Sequence, residues 1–73
     1  MNVVYSKRNC NFCTAAKKLL DKHDVTYEEY RIGKDITKDE FLERYPNQKT
    51  VPFIILEGEV VGGYKELREL FKV

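Results

Sequence analysis

Between Asn2 and Tyr30 the hydrophobic period of the chain changes twice, and this change constrains the fold more than any other feature of the sequence. Val3, Val4 and Tyr5 form a short β-branched and aromatic run of the kind that fills a buried strand. The polar stretch from Ser6 to Asn11 ends it. Phe12, Ala15, Ala16, Leu19, Leu20 and His23 then recur at three- and four-residue steps, which places them on one face of a helix from about Asn11 to about His23. Lys17, Lys18, Asp21 and Lys22 are expected to face water. After Asp24, Val25, Tyr27 and Glu29 alternate with Thr26, Glu28 and Tyr30, the pattern of a second strand. Strand, helix and strand joined by short links imply a parallel pair with a right-handed crossover.

The remaining elements carry their own signals. Thr37 followed by Glu40 is a capping box, and Ile36 is placed to staple onto Phe41, so a helix is predicted to start at Thr37 and to be closed by Pro46. Val51 to Leu56 is apolar on both faces. It leads through Glu57, Gly58 and Glu59 to Val60 and Val61, which together read as a β-hairpin. Gly62 and Gly63 break the pattern, and Leu67, Leu70 and Phe71 give the last segment a helical apolar face. The predicted order is strand, helix, strand, helix, strand, strand, helix, without internal repeats. With 73 residues, a single domain spanning 1–73 is expected.

Composition excludes several classes. The chain is 42% hydrophobic and 34% charged with a net charge of +1, so it has neither the composition of a disordered chain nor the general basicity of a nucleic-acid binder. Its longest apolar run, Val51 to Leu56, contains a proline and falls far short of the roughly 20 residues of a membrane span. No basic and apolar leader precedes the first strand-like segment, so a cytoplasmic protein is expected, with no membrane or nucleic-acid partner. A monomer is expected too, because assigning the core faces leaves no exposed apolar stripe.

The two cysteines, Cys10 and Cys13, stand where the first strand gives way to the first helix. A bridge across so short a loop removes little denatured-state entropy, so a chemical role is expected rather than a structural one. At a helix start, unpaired N–H groups and the macrodipole favour an anion. Such placement, helped by the upstream cations Lys7 and Arg8, brings a cysteine pKa from about 8.5 to somewhere in the range of roughly 3.5–7.5. Cys10 is therefore the expected nucleophile. Cys13, one turn deeper, is suited to resolve the mixed disulfide that Cys10 forms. A zinc site would need two more ligands, and His23, about three turns down the same helix, cannot reach one, so no metal is expected.

Two further segments are candidates for the same site. Pro52 opens an apolar strand without being able to donate to its ladder. Taken alone it is a strand-opening proline; beside a redox pair it reads as a cis Thr50-Val51-Pro52 turn that leaves the Val51 N–H and C=O free to pair with an extended thiol substrate. Gly62 and Gly63 read as turn residues, or as a helix start whose backbone donors hold a carboxylate. Lys7 is either a solvated lysine or a second carboxylate contact.

Tyr5 to Cys13 (Tyr-Ser-Lys-Arg-Asn-Cys-Asn-Phe-Cys), Thr50-Val51-Pro52 and Gly62-Gly63-Tyr64 together resemble the three signature segments of glutaredoxins, and the likeness runs over essentially the whole chain. The resemblance implies an α/β thioredoxin fold: a four-stranded mixed sheet of order 2-1-3-4 flanked by three helices, with Pro52 cis. It implies a thiol–disulfide oxidoreductase that binds no cofactor and uses glutathione as co-substrate, with the mixed disulfide on Cys10. Position by position, Lys7 would meet the glycine carboxylate of glutathione, Val51 would pair with its cysteine backbone, and the Gly63–Tyr64 region would meet its γ-glutamyl carboxylate. Thr50, Pro52 and Lys65 complete the implied binding set.

Two departures from the family pattern bear on the partners. Asn11 and Phe12 replace the usual Pro-Tyr between the cysteines, and Lys65 stands where many glutaredoxins carry an acid for the γ-glutamyl ammonium. Glu66 is the candidate substitute for that acid. A basic residue after a Gly-aromatic pair is similar to glutaredoxin-like redoxins, which supply electrons to ribonucleotide reductase and take them from thioredoxin reductase. The ending Leu67-Arg68-Glu69-Leu70-Phe71-Lys72 and the short chain resemble small phage-encoded glutaredoxins with the same duty. The resemblance therefore implies oxidised protein disulfides such as ribonucleotide reductase as clients, with glutathione or thioredoxin reductase as reductant. An iron–sulfur carrier ligated through Cys10 is a third reading that the resolving Cys13 disfavours.

Overall fold

A computed structural model describes residues 1–72, so Val73, the last residue of the expected domain, lies outside the described residues. Seven elements follow in the predicted order: β1 (Val3–Ser6), α1 (Asn11–Lys22), β2 (Glu28–Arg31), α2 (Lys38–Arg44), β3 (Phe53–Leu56), β4 (Glu59–Gly62) and α3 (Tyr64–Leu70). The four strands form one sheet of order β2-β1-β3-β4. β1 runs parallel to β2, with Val4 opposite Glu29 and Ser6 opposite Arg31, and antiparallel to β3, with Val4 opposite Ile54. The β3–β4 hairpin is antiparallel and shifts register between Ile54 and Ile55. The mixed sheet of order 2-1-3-4 with three helices is thus the fold implied by the resemblance.

Alternation along β1 divides the core in two, because successive side chains leave opposite faces of a strand. Val3 and Tyr5 pack with Ile36, Phe41 and Phe53 on the α2 side. Val4 packs with Ala16, Leu20, Ile54 and Leu67 on the other face, beneath α1 and α3. Leu20, Ile54 and Leu67 are fully buried, and each such side chain stabilises the fold by about 1.5–3 kcal/mol through surface removed from water. Tyr5 anchors the first cluster, its ring 5.0 Å from Phe41 and 5.7 Å from Tyr30.

The capping box at α2 forms as predicted: the Glu40 N–H donates to Thr37 Oγ1 and the Thr37 N–H to Glu40 Oε1, each at 3.0 Å. Ile36 and Phe41 share one core cluster, consistent with the staple. Other boundaries move inward. α1 stops at Lys22 with His23 as its cap residue, where the Asp24 N–H and Val25 N–H turn back onto Asp21 and Leu20 carbonyls. β2 begins only at Glu28, because strand pairing with β1 starts where the Glu28 N–H meets the Asn2 carbonyl. Val51 and Pro52 stay outside β3.

Three expectations about exposure need correction. Phe12 is on the helix but not in the core: it is 64% exposed, because it lies in the first turn of α1, beyond the end of the sheet. Lys17 does not face water; it is half-buried against Glu29 of β2. Apolar surface also remains uncovered, since Val60 and Leu70 are 62% and 57% exposed.

Candidate active site

The turn from β1 into α1 delivers the two cysteines. Asn9 takes a left-handed conformation, φ 56°, which asparagine tolerates better than most side chains. Cys10 then becomes the N-cap of α1 in extended geometry, and its Sγ accepts the Cys13 N–H at 3.2 Å. That donor is one of the unpaired amides of a helix start, and the same contact is available to a thiolate at this sulfur. Cys10 and Cys13 are joined in a disulfide, with Cα atoms 5.2 Å apart. Cys10 is half-buried, whereas Cys13 is 1% exposed, so only the first sulfur is open to an incoming disulfide.

The loop before β3 comes alongside. The Val51–Pro52 peptide is cis, and the Val51 carbonyl oxygen lies 3.9 Å from Cys10 Sγ. The Val51 N–H has no hydrogen-bond partner among the described residues. Thr50 and Val51 form a ridge between two clefts. One, of 330 Å³, is lined by Lys7, Lys38, Gln48 and Lys49. The other, of 460 Å³, is lined by Phe12, Pro52, Gly63, Tyr64 and Lys65. Each of the implied binding residues, Lys7, Thr50, Val51, Pro52, Gly63, Tyr64 and Lys65, therefore borders one or both clefts.

Gly62, next to the Gly63 that lines the second cleft, holds a conformation that favours glycine. Its φ of +114° is in a region that side chains rarely adopt, and an added Cβ would come within 3.1 Å of Glu66 Oε1. Glu66 is held at that place because its Oε1 accepts the Gly63 N–H at 2.8 Å. Glu66 caps α3 through that oxygen and also lines the second cleft beside Lys65, with its other carboxylate oxygen not engaged in the cap.

Several contributors were missed by the sequence reading. Gln48 and Lys49 immediately precede Thr50-Val51-Pro52, so adjacency alone was the available signal, whereas Lys38 arrives from α2 and carries none. The Phe12 ring lies 5.8 Å from that of Tyr64 and joins the cysteine loop to α3. Behind the site, the fully buried Ser6 hydroxyl donates to Glu29 Oε2 at 2.6 Å, and Lys17 Nζ donates to the same oxygen at 2.9 Å. The Ser6 hydrogen bond lowers the Glu29 pKa most, burial opposes it, and Lys17 lowers it further. Among the described residues no group of three or more His, Cys, Asp or Glu side chains is arranged to hold a metal ion.

A half-buried sulfur at a helix start, a buried partner sulfur one turn on, and an adjacent cis-proline loop make a dithiol site. The sequence model that matches is that of glutaredoxin, over residues 2–61. The chain belongs to the glutaredoxin family. It is 36% identical over 72 residues to glutaredoxin 1 of Rickettsia conorii, covering 96% of this chain and 71% of the relative. It is 31% identical over 67 residues to glutaredoxin 3 of Escherichia coli K12, covering 92% of this chain and 81% of the relative. Among solved structures it is similar to a buckwheat glutaredoxin in complex with glutathione: TM-score 0.77, 29% identity, 93% of this chain and 64% of that one. Family membership and the Cys10–Cys13 pair make this glutaredoxin a thiol–disulfide oxidoreductase.

Proposed function

We propose that residues 1–73 act as a single glutaredoxin domain that reduces glutathione mixed disulfides and protein disulfides. The observation that carries this reading is the position of Cys10 Sγ, 3.9 Å from the Val51 carbonyl on the ridge between the two clefts. Glutathione is a short extended peptide with a carboxylate at each end. Its cysteine backbone would pair with Val51 as an added strand, bringing its sulfur to Cys10. Its glycine carboxylate would enter the cleft of Lys7, Lys38 and Lys49, where cations and Gln48 meet it. Its γ-glutamyl end would lie toward Gly63 and Tyr64.

In the forward reaction the Cys10 thiolate attacks one sulfur of the substrate disulfide and expels the other as a thiolate. Cys13, as thiolate, then attacks Cys10 Sγ, releasing the second substrate thiolate and forming the Cys10–Cys13 disulfide. Two electrons pass from the dithiol to the substrate. Two glutathione molecules restore the dithiol and leave as glutathione disulfide. Ribonucleotide reductase is a client of the appropriate chemistry, and the cytoplasm, where thiols are kept reduced, is the matching compartment.

One observation favours a second reductant. Lys65 borders the cleft that would hold the γ-glutamyl end, where its charge would oppose the glutathione ammonium, and Glu66, which also lines that cleft, already accepts the Gly63 N–H through Oε1. Recharging by thioredoxin reductase is the reading this supports. Turnover of a mixed disulfide with NADPH, glutathione reductase and glutathione separates the two. Strong turnover establishes glutathione as reductant; negligible turnover by folded, reduced protein, restored by NADPH and thioredoxin reductase, assigns the second.

A further inference from the structure

A third cleft, of 680 Å³, runs between the C-terminal half of α1 and α3, and the mechanism above uses only its Tyr64–Lys65 edge. Its charge is one-sided: Lys22, Lys65, Arg68 and Lys72 line it against a single carboxylate, Glu69. None of Lys22, Lys65 or Arg68 has a carboxylate within ion-pair distance among the described residues, so their charge is uncompensated locally. The chain as a whole carries only +1, so this concentration of cations is a property of the face and not of the composition. Its lining includes a pair of stacked rings, His23 on Phe71, with centroids 4.2 Å apart and planes at 9°.

The cleft is continuous with the redox site. Tyr64, Lys65 and Arg68 line both this cleft and the one beside Pro52. The Arg68 guanidinium sits 5.8 Å from the Tyr64 ring centroid, and Tyr64 in turn meets Phe12, one of the two residues between the cysteines. A polypeptide whose cysteine engages Cys10 would therefore be led past Phe12 and Tyr64 along α3.

We propose that this cleft is the docking surface for an acidic segment of a protein client, located a few residues from the client's reactive cysteine. The inference rests on the disulfide-reduction reading and adds the chemistry of its substrate. From Lys65 to its end at Leu70 the rise along α3 is about 8 Å, with Lys72 just beyond, a length that an extended chain spans in about two to three residues. Allowing for the residues that cross Phe12 and Tyr64, the client's acids fall roughly three to seven positions from its cysteine. Charge complementarity of this kind speeds encounter and fixes register, and it fades as salt screens exposed charges. The covalent step is unchanged: the client disulfide gains two electrons and becomes a dithiol while Cys10 and Cys13 become the disulfide.

The test compares two synthetic disulfide peptides, identical except that one carries Glu and the other Gln at four positions within that window. The full chain is used in its reduced form at low ionic strength. The Glu peptide is expected to be reduced with a kcat/KM about tenfold higher, the combined effect of several exposed pairs each worth little alone. That advantage should disappear in 1 M salt, where the screening length is about 3 Å, and in the double variant Lys22→Glu/Lys72→Glu. Both substitutions are remote from the cysteines, so the rate on the Gln peptide reports that the variant is folded and active. Equal rates on the two peptides overturn the docking surface while leaving disulfide reduction intact. Failure to reduce either peptide overturns both readings. Single-stranded DNA that displaced the Glu peptide at lower concentration than the peptide itself binds would reassign the cleft to nucleic acid and overturn the proposal.

Discussion

Replacing Glu29 by alanine removes the acceptor shared by Ser6 and Lys17 behind the cysteine helix. The Ser6 hydroxyl is 1% exposed and has no other partner, so stranding it costs about 1–3 kcal/mol. The Lys17–Glu29 pair, with side chains 24% and 29% exposed, adds about 0.2–1 kcal/mol. Together the loss is about 2 kcal/mol. At a urea dependence of about 1 kcal/mol per molar, suited to so small a domain, the unfolding midpoint falls by about 2 M. Glu29→Gln keeps an acceptor for Ser6 and loses only the charge, so its midpoint falls by about half as much.

The sign of the pH dependence follows from the lowered Glu29 pKa. The carboxylate's contribution is fully present above its ordinary value of 4.5 and is lost as the pH falls through the lower, folded-state value. The difference between the wild type and Glu29→Gln, followed by circular dichroism in urea, should hold constant from neutral pH down to that ordinary value and close only on further acidification. A Glu29→Ala midpoint equal to that of the wild type, or a difference that persists unchanged in strong acid, refutes the reasoning.

Three other outcomes are expected. Leu20→Ala, which empties a fully buried position under α1, should destabilise the fold by about 3 kcal/mol in the same urea titration. Cys13→Ser should retain turnover of glutathione mixed disulfides, which need only Cys10, and lose reduction of protein disulfides; equal loss in both assays would contradict the division of labour. Lys65→Asp should raise kcat/KM for a glutathione mixed disulfide roughly fivefold at low salt, by exchanging a repulsive contact with the γ-glutamyl ammonium for an attractive one. No change on that substrate would remove Lys65 from the glutathione site.

The elements legible in the sequence were those with local causes. Thr37 and Glu40 fix the start of α2 by contacts three residues apart, and the steps from Ala16 to Leu20 fix the buried face of α1. The cysteine pair, the Thr50-Val51-Pro52 loop and the Gly62-Gly63 turn were legible as separate signals; the Val51 carbonyl comes to 3.9 Å from Cys10 Sγ, and Gly63 shares a cleft with Pro52. What stayed hidden depends on tertiary neighbours. Lys17 was assigned to solvent because helical periodicity does not show that β2 places a carboxylate above it. Phe12 has the spacing of a core residue, yet it lies past the sheet and faces Tyr64. Lys38 is far in sequence from the cysteine pair and the other two signature segments, and reaches the Lys7 cleft only through the packing of α2. The cationic cleft joins Lys22 of α1 to Lys65, Arg68 and Lys72, which lie more than forty residues away in the sequence.

The most direct test of the central claim is the rate of disulfide reduction by Cys10→Ser beside the wild type, with both proteins folded and reduced at the start. The account predicts that Cys10→Ser falls to the uncatalysed rate, because Cys13 is buried and cannot meet an incoming disulfide itself. A Cys10→Ser protein that reduced disulfides at the wild-type rate would contradict it.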